Sequence, residues 1–122
     1  MDLESVRQFC LSQPQATEQI QWEDDLVFKV GGKMFAVLAL EPSHGVRMCF
    51  KCTAEDFAEL TEMQGIRPAP YMARYKWVGL ERLDALSWPR MRDQIRRSYE
   101  MVVEKLPKKV RRELFGDDSS GS

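Results

Sequence analysis

Hydrophobic and polar positions alternate along this chain with two different spacings, and each spacing predicts a type of element. Two apolar runs flank the pair Gly31 and Gly32, which predicts a β-hairpin because glycine tolerates the positive φ of a tight turn. We expect its strands over 21–30 and 33–41. Apolar residues alternate with polar ones over 46–52, which predicts a half-buried third strand. Short links between the three imply an antiparallel meander.

Helices are predicted where apolar residues recur every three to four positions. Asp2 is placed to cap a first helix, and Thr53 a second. Strand residues follow over 71–81. Ser87 then caps a long last helix. One apolar stripe marks this helix: Trp88, Met91, Ile95, Tyr99, Val102 and Leu106.

This order of elements predicts an α+β fold, a two-layer sandwich with an antiparallel sheet and helices packed mainly on one face. Residues 1–115 are expected to form a single domain. Residues 116–122 have the Gly/Ser/Asp-rich composition of a flexible, vector-derived tail. We predict a loop over 13–18 and a stiff connection over 66–70. Residues 108–115 fit either a further short helix or part of the tail.

Composition narrows the class of protein. The chain has 122 residues, 43% of them hydrophobic, which suits one folded domain. It has no run of 18 apolar residues, so no membrane span is expected. Its start lacks the layout of a signal peptide. Three cysteines, an odd number, fit a reducing compartment better than a disulfide framework. We therefore expect a cytoplasmic protein.

Charge is unevenly distributed although the net charge is only −1. Residues 1–25 carry a net charge of −5 and residues 90–112 a net charge of +6. Arginines one turn apart on the last helix could neutralise phosphates, and the aromatic and basic residues of 71–77 could stack on bases. The candidate nucleic-acid-binding residues are Arg74, Lys76, Trp77, Arg90, Arg92, Arg96 and Arg97.

Each of these candidates also has an ordinary structural interpretation. Asp93 and Arg97 have the spacing of a surface ion pair, which also fits a basic face that only solvates the helix. Tyr71 and Trp77 could pack in the core while Arg74 and Lys76 point to water. The sequence leaves both alternatives open.

Other reactive residues form no catalytic constellation. Cys49 and Cys52 face opposite sides of a strand, which argues against a shared metal or redox site. Cys10 fits a buried helix position, and His44 lies in a turn without an oriented partner. Acidic residues at 23–25, with Glu18, are interpreted as a solvating edge. We expect no enzyme activity, no cofactor and no metal.

Several short segments together carry a resemblance to a known family: Pro14–Glu18, Trp22, Val27–Ala36, Phe50–Cys52, Gly65–Tyr71, Lys76–Val78 and Ser98–Tyr99. In combination they resemble the MmcQ/YjbR-like family of small bacterial proteins. The resemblance covers roughly residues 1–108. It implies a compact α/β sandwich related to the frataxin-like (CyaY-like) fold, and it implies DNA binding through a double-wing arrangement.

These observations favour a small non-enzymatic binding protein, with DNA as the first candidate ligand. DNA phosphates would contact the last helix and residues 74–77, with little base readout. The alternative is a protein-interaction module that pairs through complementary acidic and basic faces. A sequence pI of about 5.9 weighs against a dedicated DNA-binding domain. A small-molecule or metal-binding domain rests on the fold analogy alone. We expect a monomer rather than an obligate oligomer, with no membrane association.

Overall fold

A computed structural model of the chain describes residues 2–22, 24–41 and 45–116. Within them the helices are α1 (Leu3–Leu11), α2 (Ala54–Leu60), α3 (Trp88–Lys105) and α4 (Lys108–Phe115). The strands are β1 (Thr17–Gln21), β2 (Asp25–Val30), β3 (Lys33–Ala39), β4 (Met48–Lys51), β5 (Ile66–Pro68) and β6 (Trp77–Leu80). Short 3₁₀ turns cover Ala73–Tyr75 and Leu83–Ala85.

The six strands form one antiparallel sheet in the order β1-β2-β3-β4-β6-β5. Its central strands pack against α3, and residues from α1 and α2 join the same core. We call this side of the sheet the helix face and the opposite side the open face. The predicted α+β sandwich, with helices mainly on one face, is confirmed. None of the described helices is long and apolar enough to cross a membrane.

Alternation along the strands divides the apolar residues between the two faces. Leu26, Phe28 and Val30 of β2 belong to the large core on the helix face, whereas Val27 points to the open face. The open face carries a smaller buried cluster of Val27, Val37, Val46, Cys49, Ala69 and Trp77. Both faces of the central strands are therefore largely apolar, which explains the unbroken hydrophobic run in β3.

The predicted caps and stripe are confirmed. The side chains of Asp2, Thr53 and Ser87 accept hydrogen bonds from backbone N–H groups three residues later, at 2.8, 3.0 and 3.3 Å. These bonds fix where α1, α2 and α3 begin. The stripe of α3 faces the core, with Met91, Ile95, Tyr99, Val102 and Leu106 buried and Trp88 half-buried. Residues 108–115, which fitted either a short helix or part of the tail, form the helix α4.

The Gly31-Gly32 hairpin is also confirmed. Val30 pairs with Lys33, and the two glycines between them have φ values of 60° and 82°. A register shift at Phe28/Lys29 places Phe35 as the extra residue of a β-bulge in β3.

Two strand boundaries differ from the predictions. The loop predicted over 13–18 is wrong at its end, because β1 begins at Thr17. Residues 21–30, predicted to form one strand, instead contain the end of β1, a turn and the whole of β2. Trp22 makes that turn with a φ of 48°. The polar residues of β1 gave no strand signal because β1 is an edge strand exposed along much of its length.

Two further segments differ from the predictions on the other side of the sheet. The connection predicted over 66–70 contains the edge strand Ile66–Pro68. The strand predicted over 71–81 begins with a 3₁₀ turn, and only Trp77–Leu80 pairs with neighbouring strands. Pro68 lies on an edge strand, where its missing N–H costs no ladder bond. The turn predicted at His44 and the tail over 117–122 lie outside the described residues.

Candidate functional site

The arginines of α3 lie on two flanks of the helix. On the α1 side, the guanidinium carbon of Arg92 lies 5.5 Å from the centroid of the Trp88 ring. The guanidinium carbon of Arg96 likewise lies 5.7 Å from the centroid of the Phe9 ring. Both cations are held against aromatic rings of the protein itself.

The other two arginines lie on the α2 side and meet carboxylates. Arg90 pairs with Glu59 at 3.2 Å. Arg97 pairs with Asp56 at 3.4 Å and with Asp93 at 3.1 Å. The four arginines therefore form no single face of α3, and the surface-pair interpretation of Asp93 and Arg97 is confirmed. This arrangement weakens the hypothesis that the helix itself is the phosphate-binding surface.

The candidates of the 74–77 segment lie at one end of the sheet. Trp77 is only 6% exposed and packs in the open-face cluster, so its ring offers no stacking surface. Tyr75 is 53% exposed. The Arg74 guanidinium lies over its ring, 5.0 Å from the centroid, and donates to its hydroxyl at 2.9 Å. The Lys76 Nζ lies 5.2 Å from the Phe57 ring centroid. Tyr75 is therefore the exposed aromatic residue of this segment.

Three lysines missed by the sequence analysis meet beside Tyr75. They line a cavity of about 250 Å³, here called the lysine pocket. Its lining is Lys33, Met34, Lys51, Tyr75, Trp77, Met101, Val102 and Lys105, which includes no carboxylate among the described residues. A cavity of this composition offers three ammonium groups and one exposed phenol ring to an anion.

The fold explains why the three lysines converge. Lys33 begins β3 and Lys51 ends β4, so the two lie at the same end of neighbouring antiparallel strands. Lys105 is the last residue of α3, which crosses these strands. Lys51 Nζ donates to the carbonyl oxygen of Tyr75 at 3.2 Å. None of the three lysines forms an ion pair with a residue that the structure describes.

A larger groove crosses the open face next to the lysine pocket, and Met34 lines both. It encloses about 510 Å³ and is here called the open-face groove. The described residues that line it are Trp22, Asp25, Met34, Val37, Ala39, Glu41, Val46, Arg47, Met48, Cys49, Pro70, Tyr71 and Met72. Most of these side chains are apolar, and the volume falls in the range of small-molecule sites.

Two exposed aromatic residues stand at this groove. Trp22 is 60% exposed and Tyr71 is 92% exposed. Both have positive φ, 48° for Trp22 and 67° for Tyr71, a region that bulky L-residues rarely adopt. Exposure of two large rings in strained backbone is unusual in a folded domain. Of the two positions that the sequence leaves open for Tyr71, a stacking segment or the core, its exposure excludes the core.

Charged groups at the groove are concentrated at one end of the sheet. Asp25, Glu41 and Arg47 line it there, and Arg47 donates to the carbonyl oxygens of Ala39 and Leu40 at 3.0 and 3.3 Å. Burial raises the pKa of the Cys49 thiol to about 12; the negative charge of Asp25 acts in the same direction and the positive charge of Arg67 opposes it. Charges of both signs therefore act on Cys49 at the open face.

The cysteines lie apart, as predicted from strand geometry. Cys49 belongs to the open-face cluster and Cys52 to the core on the helix face. Cys10 is buried in α1, and burial raises its pKa far above the ordinary value. Among the described residues, no three His, Cys, Asp or Glu side chains are grouped to hold a metal ion.

The predicted acidic edge is only partly described. Residue 23 lies outside the described ranges. Glu18 is held by Arg7, whose guanidinium donates to both carboxylate oxygens at 2.8 and 2.6 Å. Arg7 thereby lowers the pKa of Glu18. This carboxylate ties α1 to β1 rather than standing free at the surface.

Comparison with known proteins places these features in a family. The YjbR family model matches residues 11–101. A search of curated proteins found no match. The crystal structure of Deinococcus radiodurans protein DR2400, with domain DUF419, superposes with a TM-score of 0.79 at 27% identity, covering 92% of this chain and 86% of that one. A Pseudomonas syringae protein superposes with a TM-score of 0.69 at 20% identity, covering 83% and 98%, and shows likeness of fold alone. Because the family model spans well over half of the chain, this protein belongs to the YjbR family.

Proposed function

We propose that this protein binds nucleic acid and that the backbone phosphates are held in the lysine pocket. The observation that carries the proposal is the convergence of Lys33, Lys51 and Lys105 on a cavity without a carboxylate in its described lining. Phosphate contacts of this kind supply most of the affinity of non-specific nucleic-acid binding, because they release condensed counterions.

The lysines suit this role better than the arginines of α3. Arg90 and Arg97 are already neutralised by carboxylates, so a phosphate would have to replace an existing pair. The three lysines have no such partner among the described residues. Lysine is a point charge without the fork geometry of arginine, which favours backbone contact over base readout.

Charge separation along the sheet supports the same assignment. Lys33 begins β3, and Ala39 ends it beside Asp25 and Glu41. Six residues of extended strand span about 20 Å. The carboxylates at the groove therefore lie well away from the lysine pocket, at a distance where salt screens their repulsion of a bound phosphate. This separation reconciles a local phosphate site with a net charge of −1.

The 74–77 candidates remain part of the proposal in a modified form. Tyr75 replaces Trp77 as the ring available for stacking, since Trp77 is buried. Arg74 lies on Tyr75 and adds a further cation at the edge of the lysine pocket. Base stacking on one exposed ring tolerates any sequence, so we expect binding with little sequence preference.

Protein interaction is a second candidate, favoured by the opposite charges at the two ends of the sheet. Asp25 and Glu41 lie at one end, and Lys33 and Lys51 lie at the other. A partner with the reverse arrangement would be recognised electrostatically. Such binding would weaken with salt, as DNA binding does, but it would need no nucleic acid.

The proposed function is tested by fluorescence anisotropy of labelled duplex and single-stranded DNA at several salt concentrations. We expect micromolar binding at low salt that weakens steeply as salt rises. The variant Lys33→Ala/Lys105→Ala should bind at least tenfold more weakly, and both side chains are exposed, so folding should be unaffected. Absence of binding by the wild-type protein at low salt would rule out the nucleic-acid proposal and favour the protein-partner candidate.

A further inference from the structure

We propose that the lysine pocket binds an unpaired nucleotide, so that the protein prefers single-stranded nucleic acid to a duplex. This inference rests on the proposed function and names the form of nucleic acid that the same site takes. Its basis is the apolar part of the lining and the exposed ring of Tyr75, since phosphate contact alone gives neither of them a role.

The lining of the lysine pocket is divided between an apolar interior and a charged rim. The apolar members are buried or half-buried: Met34, Trp77, Met101 and Val102. The exposed members are Lys33, Tyr75 and Lys105. A nucleotide has the same division, because its phosphate is charged while its base presents flat π-faces. A base lying over the interior would remove apolar protein surface from water.

Tyr75 supplies a stacking surface at this rim. Its side chain is 53% exposed even though the Arg74 guanidinium lies 5.0 Å from its ring centroid. The backbone that carries the ring is fixed, because Lys51 Nζ donates to the Tyr75 carbonyl oxygen at 3.2 Å. The bases of a duplex are already paired and stacked on one another, so each would have to be extruded before it could reach the ring. An unpaired base can stack on Tyr75 directly.

One carboxylate acts near this end of β4 and is already engaged. Burial raises the pKa of the Cys52 thiol to about 12, and the negative charge of Asp56 acts in the same direction. The positive charges of Lys51 and Lys76 oppose both. Asp56 does not line the pocket, and its carboxylate pairs with Arg97 at 3.4 Å. Its charge is thereby balanced, and the pocket stays open to a phosphate.

A preference for the single strand would report contact with a base. Phosphate contact alone favours the duplex, because each contact contributes about 0.9 to the salt dependence of binding on B-DNA and about 0.7 on a single strand. The lysines therefore give no reason to prefer a single strand. Tyr75 and the apolar interior give one, because stacking on an aromatic ring strengthens binding for every type of base.

Fluorescence anisotropy with three labelled DNA probes at low salt tests this proposal. The probes are an oligothymidylate of about 12 nucleotides, within the range of single-strand site sizes, an abasic strand of equal length and a blunt mixed-sequence duplex of that length. The abasic strand keeps the phosphates and lacks the bases, so it separates stacking from charge. We expect the oligothymidylate to bind at least about fivefold more tightly than either of the other probes.

Variants of Tyr75 then assign the preference to the ring. Tyr75→Ala should weaken oligothymidylate binding at least about fivefold and leave binding of the abasic strand unchanged, which shows that the pocket is intact. Tyr75→Phe keeps the ring and should retain most of the affinity. Tyr71→Ala is the matched control, because Tyr71 is 92% exposed and does not line the pocket. It should bind the oligothymidylate as the wild type does.

Three results would overturn this inference and leave the proposed function standing, provided that Lys33→Ala/Lys105→Ala still loses affinity. They are equal or tighter binding of the duplex, equal binding of the abasic strand and the oligothymidylate, and unchanged oligothymidylate binding by Tyr75→Ala. Absence of binding to all three probes at low salt would overturn the proposed function together with the inference.

Discussion

The hydroxyl of Ser98 lies 2.7 Å from the carbonyl oxygen of Phe35 and donates a hydrogen bond to it. Phe35 is the bulged residue of β3, where the regular ladder to β2 is interrupted. The same hydroxyl accepts a hydrogen bond from the backbone N–H of Lys51 at 3.0 Å. One buried side chain of α3 therefore joins β3 to β4 and fixes the backbone of a lysine in the pocket.

Replacement of Ser98 by alanine should destabilise the protein. The change leaves the Phe35 carbonyl and the Lys51 N–H buried without this partner, at an expected cost of about 1–3 kcal/mol in the free energy of unfolding. Ser12→Ala is the matched control, because Ser12 donates to the Phe9 carbonyl at an exposed position where water can replace it. Its effect should stay within about 0.5 kcal/mol. Urea denaturation checks both values, and equal effects would contradict this role of Ser98.

The two glycines of the β2–β3 turn should respond differently to alanine. Both have positive φ, which costs an L-residue about 1–2 kcal/mol. A Cβ on Gly31 would also lie 2.8 Å from Leu106 Cδ1 and 3.1 Å from Val110 Cγ1, whereas one on Gly32 would meet no atom within 4 Å. We therefore expect Gly31→Ala to lower the melting temperature more than Gly32→Ala. The reverse order would mean that Leu106 and Val110 do not pack on this turn in solution.

The pair of Arg7 and Glu18 should make stability depend on acid pH. Arg7 lowers the folded-state pKa of Glu18. The stabilisation from this pair is therefore present above the pKa of the glutamate in the unfolded chain, about 4.3. It is lost as the pH falls through the lower pKa of the folded state. Glu18→Gln should show a smaller drop in urea midpoint between about pH 5.5 and about pH 3 than the wild type.

A control separates this pair from general acid effects. Glu100 is exposed on α3 and forms no ion pair with a described residue, so Glu100→Gln should retain the wild-type drop. If Glu18→Gln and Glu100→Gln lose stability with acid to the same extent, the bond between α1 and β1 contributes nothing to the pH dependence.

Sequence reasoning succeeded where an element carries its own periodic signal. The stripe of α3, the caps at Asp2, Thr53 and Ser87, and the Gly31-Gly32 turn are local patterns, and each one is confirmed. The edge strands β1 and β5 were missed because they form through pairing with a neighbour. Their exposed residues, such as those of β1, have no need to alternate between apolar and polar.

The candidate sites depend on distant contacts and were predictable only in part. Lys33, Lys51 and Lys105 are separated by 18 and 54 positions, and the register of β3 with β4 brings the first two together. The hairpin signal could have placed Lys33 and Lys51 at one end of the sheet. The position of Lys105 requires the crossing of α3, which no local pattern specifies. The open-face groove likewise joins the turn at Trp22 to Tyr71.

The availability of the α3 arginines for phosphate binding was overestimated for a related reason. Spacing on a helix shows which residues share a flank, but it does not show what lies opposite them. Arg92 and Arg96 meet aromatic rings, and Arg97 meets Asp56 from α2. These partners come from elements more than 30 residues away or from the helix itself. Only the packed structure separates engaged cations from available ones.

Two matched double variants, compared in DNA binding, distinguish the lysine pocket from the arginines of α3 as the phosphate-binding surface. Lys33→Ala/Lys105→Ala removes two lysines of the pocket, and Arg92→Ala/Arg96→Ala removes two arginines of α3. With binding measured by anisotropy across salt concentrations, we expect the lysine variant to lose at least tenfold in affinity. We also expect the slope of log K against log salt concentration to become shallower by about two. Each phosphate contact contributes about 0.9 to that slope. The arginine variant should bind nearly as the wild type does. A larger loss in the arginine variant than in the lysine variant would contradict the assignment of phosphate binding to the lysine pocket.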